Sequence, residues 1–213
     1  YDLSKVFDAH KETADDKFDV EKEIKKAQNT KIKSGNMYQL GRHKLICGDS
    51  TNQETVKKLM GSAKAHMVND DVPFNINLSY GSGVAGKKNQ KDYGGTIDDN
   101  KSDDEYSKFI KSLITNAKSV LHKDAHVLFW CDERYVWLFQ TLYKELNINS
   151  KRLLIWVKNN ASPTPQSAFN KVTEFVVYGT LGSPYINPDI QDLNEIQNKE
   201  TTTGNNLLSE ISN

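Results

Sequence analysis

Between His66 and Leu78 the chain reads HMVNDDVPFNINL, and four successive residues in it combine a carboxylate, a rigid backbone and an aromatic face: Asp71, Val72, Pro73 and Phe74. Two neighbouring acids such as Asp70 and Asp71 do not both fit a buried core. The set suits alkylation of an exocyclic amino group on adenine or cytosine. That nitrogen is a poor nucleophile because its lone pair is delocalised into the ring. Acceptors for its hydrogens let it pyramidalise as it attacks. A carboxylate and an adjacent backbone carbonyl supply two such acceptors, and an aromatic ring stacks on a base swung out of its helix. Proline stiffens the turn and biases the residue before it to an extended conformation, which aims that residue's carbonyl.

Such a turn needs a strand to carry it. AHMVND reads as that strand, and HKLICG, AHVLFWC, RLLIWVK and TEFVVYG read as four more. Helical spacing marks NQETVKKLMG, closed by Gly61, and ERYVWLFQTLYKEL. In DDEYSKFIKSLITNAKSVL, residues Tyr106, Phe109, Ile110, Leu113, Ile114, Ala117, Val120 and Leu121 share one face, with acids at the start to suit the helix dipole. Strands alternating with helices predict an α/β fold with a largely parallel sheet. Its strand C-termini then line one edge, where such sheets bind ligands. Gly48-Asp49, Asp71 to Phe74, Cys131-Asp132 and Lys158-Asn159 all fall at predicted strand C-termini.

These motifs together resemble the DNA amino-methyltransferases, whose catalytic signature is usually Asp-Pro-Pro-Tyr. Asp71, Val72, Pro73 and Phe74 match its four places, with Val72 departing from the first proline and Phe74 lacking only a hydroxyl. YQLGRHKLICGDS resembles the strand preceding the catalytic turn, LLIWVKNN a later strand, and NKVTEFVVYG the segment after that, with Glu174 in place of a recurrent acid. The motif order is that of the permuted class in which the catalytic motif comes first. The resemblance covers roughly residues 36–180 and implies a partial Rossmann-like fold dependent on S-adenosylmethionine (SAM). It implies that Asp71, the Val72 carbonyl and Phe74 handle a flipped base in double-stranded DNA, at adenine N6 or cytosine N4. It also implies that Asp49 and Asp71 touch the cofactor. Lys87, Lys88, Lys158 and Asn159 become candidates for nucleic acid, although a solvated charge run accounts for the first pair equally and a solvated strand end for the second. Asp49 is equally read as a cap for the helix beginning near Gln53, and Trp156 as core packing.

The family's Phe-x-Gly-x-Gly cofactor turn and its His-Pro-Thr-like motif do not occur in the 213 residues. Gly81-Ser82-Gly83 is no substitute, because it follows the catalytic turn instead of opening a helix. The chain is therefore expected to be the catalytic-motif part of a longer methyltransferase. An incomplete sheet would leave an edge open to self-association or to the missing half. The alternative is a non-catalytic DNA- or protein-binding module that keeps the shape. Residues 1–35 read as a charged linker or appended helix, 36–180 as the catalytic-motif subdomain, and 181–213 as a polar region, the possible start of a target-recognition segment. Equal numbers of basic and acidic residues, 28 each, argue against attachment to nucleic acid by bulk charge. The five histidines make no ligand cluster, so no metal is expected. Cys47 and Cys131 are expected to be small buried residues in a reducing cytoplasm. No stretch has the length of a membrane span.

Overall fold

The computed structural model describes residues 32–76, 99–162, 171–189 and 194–197, with the backbone alone for 159–162. The appended helix expected before residue 32 lies outside them. Among the described residues the strands and helices follow in the order β1 (Met37–Leu40), β2 (His43–Ile46), α1 (Gln53–Met60), β3 (Ala65–Asp71), α2 (Asp103–Val120), β4 (Leu121–Cys131), α3 (Val136–Glu145), β5 (Asn149–Ser162), β6 (Lys171–Leu181) and β7 (Ile196–Gln197). A short 3-10 turn, Glu133–Tyr135, precedes α3.

Five strands form the central sheet in the order β3-β4-β6-β5-β7. The β3–β4 and β5–β7 pairs are parallel, whereas β6 runs antiparallel to both β4 and β5. The fold is α/β as expected, but its sheet is mixed. β3, β4 and β5 still point one way, so their C-termini share an edge, and the N-terminus of β6 joins them there. Local patterning reveals a strand but not its direction, which β6 takes from its neighbours.

The expected strand HKLICG is not part of this sheet. His43–Ile46 pairs with Met37–Leu40 in a separate antiparallel hairpin. Gly41 begins its two-residue turn at φ +60°, a conformation that favours glycine. Cys47, just beyond, is exposed, contrary to expectation; Cys131 is buried.

α2 is set by its ends and its stripe. Ser102 accepts a hydrogen bond from the Glu105 backbone N–H while the Glu105 carboxylate accepts from the Ser102 N–H. This reciprocal cap contributes about 1 kcal/mol. The stripe buries Tyr106, Ile110, Leu113 and Ile114. They pack with Leu138, Phe139, Leu142 and Tyr143 of α3 on the sheet face carrying Val127, Phe129, Cys131 and Val177. The opposite face carries His126, whose ring nitrogens meet Tyr178 Oη at 2.9 Å and the Tyr185 carbonyl at 3.0 Å. The segment after β6 thereby folds back over that face.

Candidate active site

β3 ends at Asp71, and the backbone beyond it is held from several directions. Val72 is buried. The Tyr106 hydroxyl, from the first turn of α2, donates to the Pro73 carbonyl at 2.8 Å. Burial and surrounding negative charge push that phenol far above its ordinary range, so it serves as a neutral donor. Asn75 follows at φ +56°, a left-handed conformation that costs a side-chain-bearing residue about 1–2 kcal/mol. Hydrogen bonds offset this. The Asn75 N–H donates to Asp99 Oδ1 at 2.7 Å. Its side-chain amide donates to Tyr135 Oη at 2.8 Å and the Lys101 carbonyl at 3.0 Å, and it accepts from the Lys101 N–H at 2.7 Å. The Asn75 carbonyl accepts from Arg134 Nη2 at 3.2 Å.

The two acids of β3 face opposite ways, as strand alternation requires. Asp70 is in register with Phe129 on the helix-covered face, and Asp71 with Trp130 on the other. Trp130 donates from Nε1 to Asn69 Oδ1 at 2.9 Å and meets Trp156 edge-on, with ring centroids 6.2 Å apart. Trp156 is in register with Glu174, which is ion-paired with Lys158, and Lys158 Nζ lies 5.5 Å from the Trp156 ring centroid. Asp71 is exposed on the outer side of the pairing, and its carboxylate accepts no hydrogen bond from the described residues. Partial burial, then the charge of Glu174, raises its carboxyl above the usual range, while Lys158 pulls it back.

Asp70 is likewise raised, by burial first and then by Asp71. The folded protein therefore holds this proton more tightly than the unfolded chain does. Its contribution to stability is full below the unfolded carboxyl value and is lost as pH rises through the raised folded value. Asp70→Asn is expected to raise the melting temperature at pH 7, with the gain vanishing as pH falls below 4. Thermal melts followed by circular dichroism at both pH values check this; an equal gain at both would exclude the ionisation account.

A second cluster lies at the same edge. Asp132, buried after β4, accepts from Arg134 Nε at 2.7 Å and from Lys171 Nζ, the first residue of β6, at 2.7 Å. Burial pushes its carboxyl up, but the Lys171 and Arg134 hydrogen bonds outweigh this and hold it below the usual range. Arg134 thus joins this cluster to the Asn75 turn. Burial, then the charges of Asp132 and Glu133, push the Cys131 thiol up to about 12, so it stays neutral and inert.

The structure thus brings Asp71, Val72, Pro73, Phe74, Lys158 and Asp132 to one edge. It does not bring Asp49 there. The Asp49 carboxylate accepts from the Thr51 N–H at 2.8 Å and Oγ1 at 2.7 Å, and Asn52, not Asp49, caps α1. The Ser50 and Thr51 carbonyls accept from Asn116 of α2. Asn116 lies ten residues beyond Tyr106, about 15 Å along the helix from the residue that touches Pro73. Lys158 is engaged by Glu174 and does not stand alone as a phosphate contact. Lys87, Lys88 and the Gly81-Ser82-Gly83 triplet lie outside the described residues, as does the side chain of Asn159. No trio of His, Cys, Asp or Glu placed to hold a metal occurs among the described residues. Sequence reasoning missed Asn75, Asp99, Tyr106, Tyr135 and Lys171. The available signal was Asn75 itself, since asparagine tolerates the left-handed region better than other side-chain-bearing residues.

The family model for DNA methylase matches residues 65–209. The chain belongs to the DNA methylase family. The match begins at Ala65, the first residue of β3, so this DNA methylase segment contains the Asp71–Phe74 turn and leaves out the hairpin and Asp49. No curated protein matches the chain. Among solved structures, the crystal structure of the M1.HpyAVI–SAM complex is similar over 62% of this chain and 50% of its own, at 16% identity and a TM-score of 0.43. The crystal structure of M1.HpyAVI is similar over 62% and 55%, at 15% identity and a TM-score of 0.41. The DNA methylase chain described here spans about half the length of these neighbours. Among its described residues no helix is long and apolar enough to cross a membrane.

Proposed function

We propose that this DNA methylase chain carries the reacting turn of a SAM-dependent DNA methyltransferase acting on the exocyclic amino group of adenine (N6) or cytosine (N4). The observation that carries this reading is the inequality between neighbouring acceptors. The Pro73 carbonyl is occupied by Tyr106, whereas the Asp71 carboxylate and the Val72 carbonyl accept no hydrogen bond among the described residues. Two adjacent acceptors with no donor among the described residues, at a strand end and followed by an aromatic, are what an amino group needs in order to pyramidalise. Asp71 takes one amino hydrogen and the Val72 carbonyl the other. Phe74 stacks on the base after it leaves the duplex.

The residues present fit the reacting end of SAM: Asp71 offers negative charge with no competing hydrogen-bond donor among the described residues. For the adenosine end, Asp49 keeps the second carboxylate oxygen as an acceptor, because Thr51 uses only Oδ1. When bound, SAM supplies an electrophilic methyl group on a cationic sulfonium. Asp71 and Val72 orient the amino nitrogen towards it, and the buried, neutral Tyr106 keeps the intervening backbone from turning away.

Methyl transfer from labelled SAM to unmethylated double-stranded DNA, with RNA and protein acceptors alongside, tests the reading. Label on RNA or protein alone would overturn the DNA assignment. A folded, DNA-binding protein that labels nothing would leave the non-catalytic module. Phe74 gives a finer test. Stacking on an extruded base contributes roughly 1–3 kcal/mol, so Phe74→Leu is expected to lower kcat/KM by about one to two orders of magnitude. Phe74→Tyr keeps the π face and is expected to stay near wild type. Equal behaviour of the two variants would make the ring a packing element only.

A further inference from the structure

We propose that Asn75 is a positioning residue for this reaction: its side-chain amide clasps Lys101 and Tyr135, and so fixes the direction in which the Val72 carbonyl and Phe74 leave β3. The inference rests on the reading of Asp71 to Phe74 as the reacting turn.

Glycine would adopt φ +56° at less steric cost, so the backbone alone does not call for asparagine here. The side chain does. Its two amide hydrogens are both used, one by Tyr135 Oη and one by the Lys101 carbonyl, and its oxygen accepts the Lys101 N–H. The residue is 8% exposed, so water does not substitute readily for these partners. Its backbone is claimed as well, by Asp99 at the N–H and by Arg134 at the carbonyl. Asp99 also accepts from the Ile76 N–H at 3.3 Å. The anchors come from two places: the stretch just before α2, and the 3-10 turn that follows β4. Tyr135 is itself seated against Tyr106, with ring centroids 4.5 Å apart, and Tyr106 holds the Pro73 carbonyl. Pro73 and Asn75, on either side of Phe74, are thus tied to one buried aromatic pair. With both neighbours fixed, Phe74 loses the backbone freedom that would let its ring swing away from an incoming base. None of these anchors is among the groups proposed to meet the base, Asp71, the Val72 carbonyl and Phe74, so the role is positional and not catalytic.

The test uses the full-length methyltransferase that carries this segment, labelled SAM and unmethylated DNA, with amide hydrogen exchange on the same proteins. Asn75→Gly keeps the left-handed backbone accessible and removes the amide. We expect kcat to fall about 10- to 100-fold while KM for either substrate moves less than about threefold. Exchange at the Lys101 N–H should accelerate, because its acceptor is gone. Tyr135→Phe removes one partner from outside the turn and should lower kcat in the same direction by less. Leu142→Val, in the core of α3 and remote from the turn, should lower the melting temperature without lowering kcat well below that temperature. Wild-type kcat in Asn75→Gly, or unchanged protection at Lys101, would overturn the proposal. Asp71→Ala, assayed alongside, separates the two failures. If it remains active, the reading of the turn fails. If it is inactive while Asn75→Gly is normal, only the positioning role fails.

Discussion

Asp71→Ala is expected to lower methyl transfer by about a hundred- to a thousandfold, the range seen when one preorganised polar group facing the developing charge is removed. The fold should not register the change. Asp71 is exposed and ends an outer strand of the sheet, and its carboxylate accepts no hydrogen bond from the described residues, so its truncation leaves no buried partner unsatisfied. Its raised carboxyl adds a second signature. The ionised form is the better acceptor, so the wild-type rate should climb with pH through a value above that of an ordinary carboxylate, and this limb should disappear in Asp71→Ala. Labelled-cofactor assays across pH, with circular dichroism melts as the control, check both parts. Near-normal turnover in a folded Asp71→Ala protein would remove Asp71 from the chemistry.

The largest effect on stability is expected from Gly179→Ala. A Cβ there would stand 2.8 Å from Tyr143 Cε2 and 2.9 Å from the Asn149 carbonyl oxygen. Neither can yield cheaply. The Asn149 oxygen belongs to β5, and the Tyr143 ring is fully buried, with its hydroxyl donating to the Val177 carbonyl at 2.9 Å. Overpacking of this kind costs about 2–3 kcal/mol. In a protein of this size the melting temperature should fall by about 4–12 °C. Differential scanning calorimetry of the pair is the measurement, and an unchanged melting temperature would mean that α3 can lift from the sheet without penalty.

Which parts of this molecule were legible in the chain follows from the range of the forces involved. α2 could be read closely because its signals are local: Ser102, the acids behind it and the stripe from Tyr106 to Ile114 all act within a few turns. The strands after it were recognisable by their β-branched and aromatic runs. Strand direction was not, because the reversal of β6 is decided by partners distant in sequence. HKLICG shows the same limit from the other side. Its apolar run suited a central strand, yet the neighbouring Met37–Leu40 captured it through a tight glycine turn. At the site, Asp71 to Phe74 stood out by residue type. Tyr106 looked like one more core position, because its hydroxyl acquires meaning only when Pro73, thirty-three residues earlier, arrives beside it. The role of Asp132 is hidden for the same reason, since Lys171, at the start of β6, follows it by thirty-nine residues. Asp49 matches by motif, and the bonds that Thr51 makes to its Oδ1 belong to its own turn, a local arrangement that residue type alone does not reveal.

The opposed facing of Asp70 and Asp71 has a further meaning. The two carboxylates are identical in chemistry and adjacent in sequence, so residue type does not distinguish the reagent from its neighbour. Parity does. A slip of one residue in the pairing of β3 with β4 would send every side chain to the other face, presenting Asp70 to the site and turning Asp71 into the core. The buried face of the pair, with Val68 packed beside Val127 and Phe129, opposes such a slip, and the hydrogen bond from Trp130 to Asn69 on the other face is consistent with the same phase. On the proposed reading, the identity of the reacting acid is thus a property of sheet alignment as well as of residue type.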